Sequence, residues 1–240
     1  MKPDITERLS THFDERSGGQ SPSMLVIHYT DTRDLAEAED FFLGRVAHPS
    51  GGRVSAHYMI DMDGTTIRYV AEDKRAWHAG VSYWQGDRDI NSCAIGIELV
   101  NPGMKYGYRP FPDRQIKALC ALVTDIFRRH AIPPTRVLGH SDVAPDRKTD
   151  PGALFDWQAL AHAGIGLWPD PNQDDFDQGA IYAADPVQAQ AALTALGYDP
   201  EASYAHLLRA FHCHYQPARA AEKTLDHQGA ARLQWLLRHQ

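Results

Sequence analysis

Short β-rich runs and longer amphipathic segments alternate over the first two thirds of the chain. The β-rich runs are 24–30 (MLVIHYT), 55–70 (SAHYMIDMDGTTIRYV), 93–100 (CAIGIELV) and 136–139 (RVLG). The second run predicts a hairpin, because the turn-forming pair Asp63-Gly64 separates two strand-like halves. The first and third runs are apolar at nearly every position, which is typical of strands buried on both faces of a sheet.

Two amphipathic segments predict helices that cover this sheet. Residues 35–44 (LAEAEDFFLG) form the first, with Gly44 as its C-terminal stop, and residues 111–134 form the second. The apolar face of the second helix consists of Ile116, Leu119, Cys120, Val123, Ile126 and Phe127. Strands that alternate with covering helices predict an α/β fold, with a central mixed β-sheet flanked by helices.

The composition changes at residues 168–179 (WPDPNQDDFDQG), which are acidic, turn-rich and without periodicity. Beyond them, three amphipathic segments predict helices at 185–197, 203–215 and 227–239. Asp185 suits the N-cap of the first of these helices, and Gly197 suits its C-terminal stop. We therefore predict a first domain over residues 1–170, a linker over 171–179 and a small all-α three-helix domain over 180–240.

Composition and charge narrow the classes of function. The chain has 240 residues, of which 43% are hydrophobic, and a net charge of −7. This acidic balance argues against nucleic-acid binding, which needs a basic face. No apolar run is long enough to span a membrane. Residues 1–20 lack the apolar core of a signal peptide, so we expect a cytoplasmic protein; the alternative is a periplasmic protein from which an N-terminal leader has been removed. Three cysteines without a CxxC motif do not indicate a disulfide framework.

The stretch GHSDVAPDRKTDPG, residues 139–152, carries His140, Lys148 and Asp150 on a segment interrupted by prolines. Loops held by a rigid scaffold are where proteins place their chemistry. His28 ends the first buried strand, and two histidines with one carboxylate are an established zinc donor set. Histidines also end strands without binding metal, so the spacing by itself leaves both interpretations open.

Glu98 lies inside an otherwise apolar strand. A carboxylate is costly in such a place unless it is paired or lies near a metal. One interpretation is a structural ion pair with Arg68 or Arg75. The other is a general base that faces a reacting water.

Trp77 and His78 lie in the small-residue segment AWHAG, residues 76–80. An aromatic pair beside a cleft suits a sugar or a peptide, because its rings offer both apolar surface and polar edges. The alternative is a tryptophan that covers the core.

Residues 22–168 resemble the amidase-2 family of N-acetylmuramoyl-L-alanine amidases, which is related to peptidoglycan recognition proteins and phage amidase-type lysozymes. The matching pieces, in order, are MLVIHYT, VSAHYMIDMDGT, AWHAG, INSCAIGIELVNPG, GHSDVAPDRKTDPG and LWP. The piece RKTDPG is similar to the corresponding piece in the bacterial cell-wall-recycling branch. The phage branch has a cysteine where this chain has Asp150. The phage branch also has a catalytic tyrosine where this chain has Ala56, and it has no acidic residue where this chain has Glu98. Its tyrosine-based mechanism therefore does not transfer, and Tyr58 is not a substitute.

The resemblance implies a Zn²⁺ site made of His28, His140 and Asp150. It implies hydrolysis of the amide between N-acetylmuramic acid, or its 1,6-anhydro form, and L-alanine of the stem peptide. The partner is then a peptidoglycan or muropeptide substrate, cleaved in cell-wall recycling or remodelling. By the same resemblance Glu98 activates the attacking water and Lys148 stabilises the oxyanion. The implied substrate-binding residues are His57, Trp77, His78 and Asn91.

The stretch LLRAFHCHYQPA, with ALGY before it, resembles the small helical peptidoglycan-binding module often attached to such amidases. The alternative is a packing accessory that never touches glycan. His212 and His214 are two apart on a helix and face different sides, so we do not expect a metal site there.

We expect the amidase to be a monomer. Two other functions are alternatives to the zinc amidase. A non-catalytic peptidoglycan recognition module would keep the fold but lack metal-ligating residues. In this chain a ligating residue is present at each of the three implied positions, His28, His140 and Asp150. A serine hydrolase using Ser141 is excluded, because the adjacent His140 and Asp142 cannot form a triad with it and no GxSxG motif occurs.

Overall fold

The computed structural model describes residues 3–240, and residues 1 and 2 lie outside that range. Its strands are β1 (Ile5–Glu7), β2 (Phe13–Glu15), β3 (Met24–Tyr29), β4 (Tyr58–Ile60), β5 (Thr66–Arg68), β6 (Lys74–Ala76), β7 (Ala94–Leu99) and β8 (Val137–Gly139). Its helices are α1 (Leu35–Phe42), α2 (Ile90–Cys93), α3 (Gly103–Tyr106), α4 (Asp113–Phe127), α5 (His140–Val143), α6 (Trp157–His162), α7 (Gln173–Ala184), α8 (Pro186–Leu196), α9 (Tyr204–Tyr215) and α10 (His227–Arg238).

The central sheet is mixed, as predicted, and has six strands in the order β1-β5-β4-β7-β3-β8. β4 and β5 form the predicted antiparallel hairpin, while β3 is parallel to both β7 and β8. In this register His28 of β3 lies opposite Glu98 of β7, and Ile27 lies opposite Gly139, which directly precedes His140. Parallel strands end at the same edge of a sheet, so three predicted site residues meet there.

Helices cover both faces of β3. Leu25 and Ile27 belong to the apolar cluster that contains the buried face of α4. Met24 and Val26, which alternate with them along the strand, belong to a second cluster with residues of α8, α9 and α10. This explains why the run at 24–30 is apolar at nearly every position, and it makes the C-terminal helices part of the main core.

The predicted linker over 171–179 is wrong from residue 173 onward. α7 begins at Gln173, and its N-terminus is a capping box in which Asn172 and Asp175 each accept a hydrogen bond from the other's backbone N–H, at 3.1 and 2.9 Å. The acidic composition belongs to a helix N-terminus, where negative side chains are favourable. The C-terminal part therefore has four helices instead of three. We call α7–α10, residues 173–240, the helical unit.

The predicted helices α1, α4, α8, α9 and α10 are confirmed, whereas β1, β2 and β6 were not predicted. Each of these strands has three residues and no apolar alternation, so pairing with a neighbour is what makes it a strand. Over residues 3–240, no helix combines the length and apolar character that crossing a membrane requires.

Candidate metal and active site

The structure brings the three predicted ligand side chains together in the interior. Nδ1 of His28 lies 2.9 Å from Nδ1 of His140 and 3.2 Å from Oδ2 of Asp150. The third separation, from Nδ1 of His140 to Oδ2 of Asp150, is 3.0 Å. All three residues are buried. Three ligand atoms at such separations can share a single cation.

The Nε2 atom of each histidine has a partner, and this contact orients the ring so that its Nδ1 atom points at the other ligand atoms. Nε2 of His140 lies 3.1 Å from the carbonyl oxygen of Ala79 and must donate to it, which leaves the Nδ1 lone pair of a neutral ring free. Nε2 of His28 lies 3.1 Å from Nδ1 of His78 and can donate there in the same way. Burial and the neighbouring His140 lower the pKa of His28 to about 4, so this ring is neutral at pH 7.

Asp150 completes the donor set as a carboxylate. Its burial opposes ionisation, but the contacts with His140 and His28 outweigh burial and hold the pKa of Asp150 well below its usual range. The backbone N–H of Ser141 donates to the carbonyl of Asp150 at 2.9 Å, which ties the two ends of the segment together. Two neutral imidazoles and one carboxylate are donors that suit zinc. We call residues 140–150 the metal loop.

Glu98 lies beside this donor set with its charge uncompensated. The pKa of Glu98 is raised to about 8, mainly by burial and also by the nearby Asp150, while Lys148 acts in the opposite direction. Within the described part of the chain, its buried Oε2 atom has no hydrogen-bond partner. The structural ion pair considered above is wrong, because Arg68 pairs with Glu7 and Arg75 pairs with Asp14 and Asp89.

A cleft of about 330 Å³ opens next to the donor set. Its walls include Tyr29, Trp77, His78, Glu98, His140, Lys148 and Asp150. Six of the nine predicted site residues thus line one cleft, and His28 lies directly behind it. The arrangement places the carboxyl group of Glu98, the ammonium group of Lys148 and a candidate metal donor set around the same space.

Trp77 is half-buried in the wall of this cleft. Its ring stacks near His12, with centroids 6.1 Å apart and an interplanar angle of 17°, and its Nε1–H donates to Asp14 at 3.1 Å. These contacts fix the indole while one side remains open to the cleft. Trp77 therefore forms part of the cleft and does not cover the core.

His57 and Asn91 do not occur among the described residues that line the cleft. Nδ1 of His57 accepts from the backbone N–H of Gly96, and its Nε2 lies 3.0 Å from the carbonyl of Lys74. Oδ1 of Asn91 accepts from the backbone N–H groups of His78 and Ala79, at 3.1 and 2.8 Å. Both side chains brace the segment behind the metal ligands, and this placement offers no support for a contact with substrate.

Arg16 is a supporting residue that the sequence did not reveal. Its guanidinium is buried and donates to the carbonyls of Glu72, Ser92 and Ala94 at 2.8–3.0 Å. Burial lowers the pKa of Arg16 to about 10. These carbonyls come from the connection between β5 and β6, from α2 and from the start of β7. All are more than fifty residues from Arg16, so only the tertiary structure identifies them as partners.

A buried set of two histidines and one carboxylate, next to an unpaired glutamate and a lysine, defines a candidate metal-dependent hydrolase. Comparison with known proteins agrees: the model of the N-acetylmuramoyl-L-alanine amidase family matches residues 18–153. The chain belongs to this family and is an amidase.

The relatives cover most of the chain. N-acetylmuramoyl-L-alanine amidase AmiD of Escherichia coli K12 is 36% identical, with 89% of this chain and 83% of the relative aligned. 1,6-Anhydro-N-acetylmuramyl-L-alanine amidase AmpD of Haemophilus influenzae is 39% identical over 65% of this chain and 89% of its own length.

Two solved structures match nearly the whole fold. The complex of E. coli AmiD with anhydro-N-acetylmuramic acid-L-Ala-D-γ-Glu-L-Lys has a TM-score of 0.76 and 31% identity, covering 96% of this chain and 98% of its own. AmpDh3 of Pseudomonas aeruginosa in complex with anhydromuramic pentapeptide has a TM-score of 0.77 and 32% identity, covering 97% and 95%. The helical unit is therefore within the aligned range of both structures.

Proposed function

We propose that this amidase uses Zn²⁺, held by His28, His140 and Asp150, to cleave the amide between 1,6-anhydro-N-acetylmuramic acid and L-alanine in soluble muropeptides. The observation that carries the proposal is the convergence of two imidazole lone pairs and one carboxylate oxygen beside an open cleft. The bound ligands named for the AmiD and AmpDh3 structures support the anhydromuramyl peptide as substrate.

Zinc, when bound by these three residues, would supply the chemistry of a Lewis acid, lowering the pKa of a water molecule and polarising the substrate carbonyl. The protein's own contribution is orientation. Ala79 and His78 hold the two imidazole rings so that their Nδ1 atoms, together with Asp150, would hold the cation. Burial of the donor set excludes competing water, which strengthens every charge interaction within the site.

Glu98 is the proton carrier in this proposal. Ionised Glu98 takes a proton from the attacking water on its unpartnered Oε2, and the acid so formed returns it to the departing amide nitrogen of L-alanine. The raised pKa of Glu98 suits this double use, because an acid and its conjugate base are both accessible near neutral pH.

Lys148 lies across the cleft as a half-buried cation. Its ammonium group faces the negative charge that develops on the carbonyl oxygen when the tetrahedral intermediate forms. Removing one such stabilising group typically costs on the order of a hundredfold in kcat. Trp77 and His78 offer the cleft wall against which the sugar or stem peptide packs.

The first experiment is a digest of soluble anhydromuropeptide and of intact sacculus, with products read by mass spectrometry. Free stem peptide that disappears with chelator and returns with zinc is the expected result. Asp150→Asn should lose both zinc and activity, whereas Asp146→Asn, an exposed aspartate of the same loop, should keep both. Activity that survives complete removal of metal from the wild-type enzyme would refute the zinc mechanism.

The same digest distinguishes recycling from wall remodelling. Preference for soluble anhydromuropeptide supports the proposed recycling role, and comparable release from sacculus would assign remodelling instead. We also propose a monomer, because one chain supplies every donor atom of the site, and light scattering tests this. The cytoplasmic location stays a prediction that cell fractionation can test.

A further inference from the structure

The helical unit contacts the metal loop directly. α9 packs against α5, the single helical turn that begins with the ligand His140. Three side chains of the helical unit, Tyr198, Arg209 and His214, form hydrogen bonds with this loop. A module that only tethered the enzyme to a glycan would need no such contacts.

Two of these side chains meet at Asp142, which is fully buried. The hydroxyl of Tyr198 donates to its Oδ1 at 2.8 Å, and Nδ1 of His214 contacts its Oδ2 at 2.7 Å. The same Oδ2 accepts from the backbone N–H of Gly139 at 2.7 Å, immediately before His140. Asp142 therefore links the helical unit to the backbone that carries a metal ligand.

The donors to Asp142 are themselves held rigidly. The ring of His214 is stacked between Trp157, with centroids 3.8 Å apart, and Tyr215, also 3.8 Å away. The ring of Tyr198 packs edge-on against Trp84 at 5.0 Å. Because the packed rings of Tyr198 and His214 have little rotational freedom, they fix the position of Asp142 more closely than mobile surface groups could.

Arg209 makes the third contact, near the other end of the loop. Its guanidinium donates to the carbonyl of Pro145 at 2.5 Å and lies 3.4 Å from the carbonyl of Lys148. Both carbonyls belong to the irregular segment between α5 and Asp150, where the N–H groups of Arg147 and Lys148 donate to the carbonyl of Ala144 at 3.2 and 3.0 Å. The charge of Arg209 thus binds the backbone that presents the Lys148 ammonium group to the cleft.

We propose that the helical unit is a built-in positioning device for the metal loop, with Arg209 placing Lys148 and the Tyr198–His214 pair placing His140 through Asp142. This inference rests on the proposed catalytic roles of Lys148 and His140. The relative AmpD aligns with only 65% of this chain, so such a device is not a general requirement of the amidase domain.

The first test compares Arg209→Met and Arg209→Lys with Arg219→Met as the matched control. Arg219 lies in the same unit and pairs with Asp226, away from the metal loop. We expect Arg209→Met to lower kcat about tenfold or more with a smaller change in KM, since a small misplacement of a catalytic group costs rate. Arg209→Lys should restore part of kcat, and Arg219→Met should leave it unchanged.

A double-mutant cycle with Lys148→Met separates positioning from general destabilisation. If Arg209 acts through Lys148, Arg209→Met should lower the residual kcat of Lys148→Met less than about threefold. Full additivity, or a lowered melting temperature with unchanged kcat, would overturn the proposal for Arg209. Wild-type cleavage is established first with the muropeptide digest, so failure of the proposed function shows separately.

The second test concerns Tyr198→Phe, which removes one hydroxyl and keeps the ring. We expect zinc affinity, measured by competition with a chromogenic chelator, to weaken about tenfold, because groups behind a metal ligand typically contribute that much. Tyr204→Phe is the control, since Tyr204 is a tyrosine of the same unit that begins helix α9, at the end far from His214. Equal zinc affinity in Tyr198→Phe and wild type would refute the link from Tyr198 to His140.

Discussion

At the scale of single residues, the site depends on histidines that are oriented by their hydrogen-bond partners and on the carboxyl group of Glu98. Glu98 shares its strand with apolar residues, and the described structure offers its Oε2 atom no donor. His78 is held more firmly, because its Nδ1 contacts His28 and its backbone N–H donates to Asn91. Two predictions belong to this scale.

Glu98→Gln should abolish most activity and leave the metal in place. The amide cannot take a proton from water, so we expect kcat to fall about a hundredfold or more. Zinc content should stay at the wild-type level, because Glu98 is outside the donor set. Steady-state kinetics and metal analysis measure the two effects, with the exposed Glu15→Gln as control. Near-normal kcat in Glu98→Gln would assign the base elsewhere.

Gly96→Ala should disturb the site without touching a ligand. A Cβ at Gly96 would lie 2.4 Å from Cγ of His78, so that ring must move. We expect a loss of about 1–3 kcal/mol in the free energy of unfolding from overpacking and weaker zinc binding. Gly52→Ala is the control, since its nearest neighbour is Ser50 Oγ at 3.7 Å. Chemical denaturation and chelator competition give the readouts, and equal values for both variants would contradict this account.

At the scale of elements, Glu72 connects the residues that follow the C-terminal end of α4 to Tyr58 of the hairpin strand β4. It lies between β5 and β6 and forms hydrogen bonds with Arg129 at 2.8 Å, His130 at 2.8 Å and the hydroxyl of Tyr58 at 2.8 Å. Burial raises the pKa of Glu72, but these three partners outweigh it and lower the pKa to about 2. This contact also explains why Tyr58 takes no part in the cleft.

The lowered pKa of Glu72 predicts a defined dependence of stability on pH. Its ordinary pKa is 4.5, so the ionised folded form is favoured above that pH, and this stabilisation is lost as the pH falls from about 4.5 towards 2. The full effect is about 3 kcal/mol. Urea unfolding at several pH values should show the loss in wild type and much less of it in Glu72→Gln. The exposed Glu222→Gln should behave as wild type, and parallel pH curves for all three proteins would contradict the assignment.

At the scale of the whole molecule, the amidase part and the helical unit share one apolar core. Met24 and Val26 of the central strand belong to the same cluster as Leu193 of α8 and Phe211 of α9. Chains of this size often unfold domain by domain, but a shared core opposes separate unfolding. The contact between α9 and the metal loop adds a polar link to this apolar one.

We therefore expect a single unfolding transition for the full chain. Leu193→Ala should lower the free energy of unfolding by about 2–5 kcal/mol, because Leu193 is fully buried. Amidase activity and far-UV circular dichroism should be lost at the same urea concentration in wild type and in this variant. Val187→Ala, exposed on the same helix, should have little effect. Two separated transitions would show that the parts fold independently.

The sequence determined the parts of this protein whose signal is local. The continuous apolar runs of β3 and β7, the amphipathic face of α4 and the cap of α8 follow from residues close to one another in the chain. The candidate metal site of His28, His140 and Asp150 was left open by the spacing of these residues and was implied by the resemblance of the motifs around them to the family; the structure brings the three side chains together. Helix α7 was missed, since its acidic N-terminal turn has the composition of a linker.

Only the tertiary structure decided which of these residues act together. Arg16, Asp142 and Arg209 have partners more than fifty residues away, and nothing near them in the chain indicates those contacts. The same holds for His57 and Asn91, whose burial beneath the cleft depends on how loops and strands pack. Hydrogen bonds across such distances exist only in the folded chain, so they are where the structure adds to the sequence.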